Sequence, residues 1–425
     1  MNTSIPDIKR RVRLALTLAL AASTFALPAA ESRWWKGNLH THTLWSDGDD
    51  YPEMVVGWYK DHGYHFLSLS DHNRLQEGEY WINATNNRGG PAALERYLAR
   101  HGTQWVERRT HQDQPQVRLK TLAEFRALFE EPGRFLLIQG EEISDHFEKR
   151  PLHLNATNLR DLIPPQGGKT AAEVLQNNIN AVLDQRRRTG QPMIPHINHP
   201  NFGWALTAED MVELKGERFF EVYNGHPGVR NYGDATHAGT ERIWDILLTR
   251  RLAELRLDPI WGTAVDDAHA YHSFNPKASN PGRGWIMVRA PELSAAALIA
   301  AMERGDFYAS TGVELTEVRR GPRELGLEIK AEPGVTYLTR FIGTRKGYNP
   351  ASEPVLADGR PVVTTRRYSP EIGTVLAEVR GATPRYQLKG DEIYVRATVV
   401  SSKLKSNPFA VGDYETAWVQ PLVPE

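Results

Sequence analysis

The chain has 425 residues, a formal net charge of −1 and no cysteine. That length exceeds one ordinary domain, and the near-neutral charge offers no general attraction to nucleic acid or an anionic membrane. The absence of cysteine excludes disulfides, thiolate metal ligands and a cysteine nucleophile. The N-terminal stretch reads as a secretory signal: Lys9, Arg10, Arg11 and Arg13 precede an apolar run over 14–27 that is too short to span a membrane. Residues 1–30 are therefore expected to be removed. The remainder is expected to be secreted or periplasmic, with no membrane span and no nucleic-acid partner.

Next comes a strand leading into Leu39-His40-Thr41-His42, then the turn Ser46-Asp47-Gly48. Alternate side chains of a strand share a face, so His40 and His42 project together and can bind one divalent cation. Pro52 opens a helix whose apolar positions Met54, Val55, Trp58 and Tyr59 share a side, and Gly63 stops it. A short buried strand over 66–70 ends in Asp71-His72-Asn73. Residues 74–120 are polar and read as an insertion over one end of the fold, with one helix near 92–100.

Thr121 and Glu124 form a capping box, and Pro132-Gly133 breaks the helix that follows. A strand over 135–139 then carries Gly140-Glu141-Glu142 at its C-terminal end. His153 lies on another short strand. Thr170 and Glu173 cap a helix that ends at Arg186-Arg187-Arg188, where cations suit the negative end of the dipole. Pro195 and Pro200 argue against a helix around His196 and His199, so a strand end running into a loop is expected. A short helix follows Thr207. The strand over 219–223 leads to His226, a helix covers 241–251, and the strand over 260–265 delivers Asp266-Asp267-Ala268-His269.

Seven strands alternating with helix-sized segments predict parallel βα units and a barrel, with the chemistry on loops at the C-terminal strand ends. The histidines and carboxylates fall at those ends. From about Glu317 the pattern becomes strand-like, with Gly-, Pro-, Asn- and Asp-rich turns, which predicts a C-terminal β-sandwich. The expected domains are 1–30, 31–315 and 316–425.

The ordered set His40, His42, Asp47, His72, Glu142, His153, His199, Asp267 and His269 resembles the PHP superfamily, named for polymerase and histidinol phosphatase. The insertion, the Phe307-Tyr308-Ala309-Ser310-Thr311-Gly312 segment and the β-rich tail resemble its secreted carbaryl-hydrolase-like (CehA/McbA type) branch. The resemblance implies an α/β fold: a distorted (β/α)7 barrel holding two or three divalent metal ions, zinc, manganese or iron. It implies one metal held by His40, His42, Glu142 and Asp267, and a second by Glu142, His153 and His199 with Glu142 bridging. It implies a third held by Asp47, His72 and His269. Asp47 stands where other members carry histidine, and a carboxylate there favours manganese or iron. The amidohydrolase barrel also opens on His-x-His, but its bridging lysine and single terminal aspartate are replaced here by Gly140-Glu141-Glu142 and Asp267-Ala268-His269.

Glu141 is the alternative bridge, and His196 reads as packing or support. His226 is placed to contact substrate or donate a proton, or else is a turn histidine; Arg283 and His272 are placed to reach a substrate anion, unless Arg283 only pairs with a carboxylate. The implied reaction is hydrolysis of a small-molecule ester by a water shared between two metals. A phosphoester is favoured, and a carboxyl or carbamate ester is the alternative. An inactive barrel that binds glycan or another surface is the reading of a different class.

Overall fold

The structure, a computed structural model, describes residues 32–357 and 359–424, with Met1 and Thr3. The expected signal segment otherwise lies outside the described residues. The chain order begins β1 (Arg33–Asn38), α1 (Pro52–Asp61) and β2 (Phe66–Leu69). The insertion supplies β3 (Tyr80–Asn83), α2 (Gly90–Trp105), β4 (Arg108–His111) and β5 (Gln114–Leu119). Then come α3 (Leu122–Phe129), β6 (Leu136–Phe147), β7 (Arg150–Thr157), α4 (Ala171–Thr189), β8 (Ile194–Ile197), α5 (Ala208–Met211), β9 (Phe219–Asn224) and α6 (Thr240–Thr249). A π-helical turn, Arg250–Leu255, precedes β10 (Trp261–Val265), β11 (Trp285–Ala290), α7 (Ala295–Glu303) and β12 (Phe307–Ser310). The remainder is β13 (Leu315–Arg320), β14 (Glu324–Ile329), β15 (Tyr337–Arg345), four two-residue strands β16 to β19 (Ser352–Glu353, Leu356–Ala357, Arg360–Pro361, Arg367–Tyr368), β20 (Thr374–Arg380), β21 (Arg385–Gln387), β22 (Glu392–Leu404) and β23 (Tyr414–Leu422).

Local chemistry accounts for the helix ends. Thr121 and Glu124 cap α3 reciprocally, and Thr207 and Asp210 do the same for α5. At α4 the box is half formed: Thr170 accepts from the Glu173 N–H, while the Glu173 carboxylate accepts from the backbone of Lys169. Helix α4 buries Val174, Leu175, Ile179 and Val182 in the largest apolar cluster, together with Leu154 of β7 and Ile197 of β8. This is the inward stripe of an amphipathic helix laid on a sheet.

One large sheet runs β10-β9-β8-β7-β6-β2-β1-β11-β12-β23-β22-β15-β20. The fold is thus mixed α/β. Strands β1, β2 and β6 pair in parallel, as do β8, β9 and β10. The all-parallel expectation fails at β7, which is antiparallel to both β6 and β8. The chain turns straight back after Phe147 through Glu148, whose φ of 55° closes a tight hairpin. Among the described residues no continuous ladder closes the sheet. A single parallel bridge, Thr41 with Ala268, joins the segments that follow β1 and β10. It is flanked by His42 N–H to Ala268 O at 3.0 Å and Asp267 N–H to His40 O at 3.1 Å.

The β-rich tail is not confined to its own sheet. Pairing of β12 with β23 carries the main ladder into it, and β13, β14 and β21 form a separate sheet. Leu325 and Leu327 of that sheet share one apolar cluster with Phe341, Val399 and Val419 of the main one. The insertion, expected to be irregular, forms a three-stranded antiparallel sheet ordered β3-β5-β4, with α2 packed through Ala93 and Tyr97.

Lys36, on β1, places its ammonium 4.0 Å from the Tyr64 ring centroid and 4.1 Å from that of Trp285. Burial pulls its pKa from 10.5 to about 8, against the opposing pull of Asp266 and Glu314. Between pH 8 and 10.5 the unfolded chain then holds the proton more tightly than the folded one, so this group makes stability rise with pH across that window. The slope is at most about 1.4 kcal/mol per pH unit. Lys36→Met should lack that rise. Urea unfolding of both proteins across the window checks this, and equal slopes would refute it.

Candidate metal centre

Asn38 ends β1 by donating from Nδ2 to Gly284 O (3.1 Å) and accepting the His40 N–H at Oδ1 (2.9 Å). The chain then continues extended to His42, and both imidazoles face inward and are fully buried. Asp71 shapes the next turn: it accepts from Thr43 N (2.8 Å), Thr43 Oγ1 (2.9 Å), Ser46 Oγ (2.6 Å) and Gln76 Nε2 (2.6 Å). Gly48 completes it, because a Cβ there would lie 2.6 Å from His42 O. Asp47 is thereby aimed back over the strand end.

On β6, Glu142 faces the site and Glu141 faces away. Both are buried, but Glu141 accepts only from Ile163 N–H, and burial pushes its carboxyl up to about 8. The antiparallel β7 sets His153 opposite Ser144, two residues along from Glu142 and on the same face. His199 follows β8. Asp267 sits past the end of β10 with φ 50°, a left-handed conformation that aspartate tolerates better than most residues.

Four atoms converge at the floor. His40 Nε2 lies 3.3 Å from both Glu142 Oε2 and Asp267 Oδ1; His42 Nε2 lies 3.3 and 3.2 Å from the same two oxygens. Among the described residues, His40 Nε2 and His42 Nε2 are buried with no hydrogen-bond partner, and Glu142 Oε2 is buried with only the His72 Nδ1 contact at 2.9 Å outside this set. Orphaned buried polar atoms are costly unless something else meets them. These four spacings, 3.2–3.3 Å, are those of neighbouring ligand atoms around one divalent ion with bonds of roughly 2.0–2.3 Å. The residues therefore fit a divalent metal.

The other Glu142 oxygen, Oε1, faces His153 Nδ1 (2.9 Å), His199 Nε2 (3.2 Å) and Asn198 Nδ2 (2.7 Å). Asp47 Oδ1 faces His269 Nε2 (3.2 Å), His72 Nε2 (3.6 Å) and His42 Nδ1 (3.7 Å). His269 Nδ1 donates to Asp267 O at 2.9 Å, and the Asp47 carboxylate facing its Nε2 raises the His269 pKa against burial. The grouping differs in detail from the expected one. His72 also reaches Glu142 Oε2 through Nδ1 (2.9 Å), and His199 clusters with His40 and Asp267.

Burial alone would raise the Glu142 and Asp267 carboxyls. The surrounding imidazoles, His72, His40 and His153 for Glu142 and His40, His42 and His269 for Asp267, hold both well below the usual range instead. Burial likewise opposes charge on His72, yet Glu142 and Asp47 carry its pKa up to about 9. The site concentrates positive charge around fixed carboxylates.

A further layer was not visible in the sequence reading. Glu221 of β9, fully buried, accepts from His40 Nδ1 (2.7 Å) and His196 Nε2 (3.2 Å) at Oε1, and from His199 N (2.6 Å) and Asn224 Nδ2 (2.8 Å) at Oε2. Asn224 Nδ2 also donates to Asp267 Oδ2 at 3.1 Å. The signal was present: a lone carboxylate inside the apolar run Phe219-Phe220-Glu221-Val222.

A cavity of about 460 Å³ opens above the floor, lined by Asp47, His72, Glu142, His153, His199, His226, Asp267 and His269 among others. His226 Nδ1 accepts the Gly228 N–H at 2.9 Å, so the ring is neutral and its proton is on Nε2. Burial, more than the neighbouring histidines, pushes its pKa down to about 4, against the pull of Asp267. Arg283 does not reach the cavity. It is buried, and its guanidinium donates to Gly225 O, Ala278 O, Asn275 O and Asn407 O. His272 turns to Asp49 O at 3.0 Å, and His196 serves Glu221.

No protein-family model matches the sequence, and no curated protein matches it. Three solved structures are similar in fold. One, from Bacteroides vulgatus, is a two-domain protein containing a predicted PHP-like metal-dependent phosphoesterase. It is 15% identical with a TM-score of 0.39, over 93% of this chain and 97% of its own. A candidate metal-dependent phosphoesterase from Bifidobacterium adolescentis is 14% identical with a TM-score of 0.28, over 57% of this chain and 88% of its own. An amidohydrolase from Chromobacterium violaceum, solved with sulfate and no metal, is 14% identical with a TM-score of 0.27, over 58% of this chain and 93% of its own. At these identities and scores the likenesses carry no functional argument; that rests on the side chains.

Proposed function

We propose that this chain is a metal-dependent hydrolase of ester-type bonds, built on a PHP-like mixed α/β fold and working outside the cytoplasm. One observation carries the reading. Among the described residues, the buried His40 Nε2 and His42 Nε2 have no hydrogen-bond partner, and both meet Glu142 Oε2 and Asp267 Oδ1 on the floor of an open cavity. His40, His42, Glu142 and Asp267 would hold one ion, and Glu142, His153 and His199 a second. Asp47, His72 and His269 would hold a third. When bound, divalent ions supply Lewis acidity and an activated water.

The protein's own groups do the rest. Glu142 divides its two oxygens between the histidine pairs, and Glu221 fixes His40 with its proton on Nδ1. His226 offers a neutral Nε2–H to an oxygen of a substrate in the cavity. The placement outside the cytoplasm is supported by the basic-then-apolar segment over 9–27.

Purified protein should contain at least one equivalent of zinc, manganese or iron. It should hydrolyse a phosphomonoester, phosphodiester or carboxyl ester, and chelation should lower that rate by at least about 100-fold, reversibly on adding one of those metals. Elemental analysis beside an ester panel checks this. Turnover confined to carboxyl or carbamate esters would move the substrate class. Bound metal without turnover on any ester would favour a binding protein.

A further inference from the structure

We propose that Arg88, on the insertion, is the residue that selects a substrate carrying a phosphate-type anion. The inference rests on the hydrolase reading and narrows its substrate to anionic esters. Among the described residues that line the cavity, Arg88 alone bears a permanent positive charge; the others are histidines, carboxylates, Phe202, Ala270 and Ser279. Its partner there is Asp47, and the contact is loose: Nη2 to Oδ2 is 3.6 Å, with 62% of the Arg88 side chain exposed. Asp47 presents its other oxygen to the imidazoles. The guanidinium therefore borders the proposed metal positions with its donors free for a solute. Arg283 is the opposite case: its donors are taken up by carbonyls.

The position of Arg88 is built. Asn83 Oδ1 accepts from Thr85 N (2.9 Å) and Asn86 N (2.7 Å), Asn87 Nδ2 donates to Asn83 O (2.7 Å), and Asn87 Oδ1 accepts from Gly89 N and Gly90 N (2.9 Å each). Gly89 seats this loop on the metal centre, because a Cβ there would lie 2.3 Å from Asp49 O. Asp49 is held in turn, its N–H donating to His269 O at 2.8 Å and its Oδ1 accepting from Tyr271 N at 2.8 Å. Arg88 is thus fixed to the same backbone that carries His269.

A neutral carboxyl or carbamate ester offers this guanidinium only a carbonyl. A phosphomonoester keeps anionic non-bridging oxygens, and arginine pairs with such oxygens through charge-assisted, often bidentate hydrogen bonds. Loss of a hydrogen bond to a charged group corresponds to about a 10- to 100-fold loss of affinity.

The experiment uses full-length, metal-loaded wild type, Arg88→Lys and Arg88→Ala. Inorganic phosphate binding is measured by calorimetry and metal content by elemental analysis. KM and kcat are taken for one phosphomonoester and one carboxyl ester. Arg88→Ala should weaken phosphate binding about 10- to 100-fold at unchanged metal content, with Arg88→Lys between. The phosphomonoester KM should rise in step, and carboxyl-ester turnover should stay within about threefold. Phosphate affinity unchanged in Arg88→Ala would overturn the proposal. So would a loss of phosphate affinity that tracks loss of metal, since Arg88 would then only support Asp47. If wild type hydrolyses no ester, the phosphate titration still decides the role of Arg88, and the hydrolase reading fails by itself.

Discussion

Glu142→Gln should empty two metal positions at once and lower turnover on the best ester by more than about 100-fold. Losing a supporting contact typically costs 10- to 100-fold in metal affinity or activity, and a shared carboxylate should cost more. The geometry gives the reason. Oε2 faces His40, His42 and His72 while Oε1 faces His153, His199 and Asn198, all at 2.7–3.3 Å. An amide removes the charge and turns an NH₂ toward one of these groups. Asp47→Asn should instead affect only the cluster with His72 and His269 and leave the other two positions filled. Metal stoichiometry of both variants, measured beside turnover, separates the two results. A Glu142→Gln protein with full metal and full activity would remove the bridge, and Glu141 could not take its place, because it points to the opposite face and accepts from Ile163.

The parts legible in the sequence are those that strand alternation governs. His40 and His42 are two apart on an extended chain, which had to put both on one side; Asp267 and His269 are also two apart, but Asp267 lies past β10 at φ 50°, so alternation does not govern that pair. The single bridge between Thr41 and Ala268 is what brings the pairs face to face. Sequence pattern does not state such a closure, since it shows that a strand exists and not which neighbour it bonds. For the same reason the β12–β23 pairing, which runs the main sheet into the tail, was unreadable.

The hairpin of β6 and β7 was missed for a different reason. Its turn places Glu148 at positive φ with no glycine, asparagine or proline to announce it. In the insertion, β4 reads Arg-Arg-Thr-His and is exposed throughout, so no apolar alternation marked it as a strand. Arg283, read as placed to reach a substrate anion from the last loops, is committed by burial to backbone carbonyls. The loop that carries Arg88 is held by asparagine side chains and a close backbone contact, neither of which has a periodic signature.

Glu221→Gln should weaken metal binding at the His40 position by about 10- to 100-fold without any change in a residue proposed to touch metal. Glu221 is fully buried and takes a donor pair at each oxygen, two imidazole N–H groups at Oε1 and the His199 and Asn224 N–H groups at Oε2. Burial would raise its carboxyl, but His40 and His196 outweigh that and hold it down at about 2, so it stays charged. Its bond to His40 Nδ1 keeps that proton in place and leaves Nε2 as the lone pair directed at Glu142 and Asp267. An amide can satisfy only one of the two donor pairs, because its NH₂ would meet N–H groups on the other side. Leaving buried donors unmet costs about 1–3 kcal/mol, so thermal stability should fall as well. The comparison that matters is between melting with and without added metal. A residue that only holds the strand would lower both melting points equally and leave the metal dissociation constant unchanged. A residue that orients His40 should shrink the metal-induced rise in melting temperature and weaken the dissociation constant. Glu221→Asp, which keeps the charge but shortens the reach, should fall between the wild type and the amide on both measures.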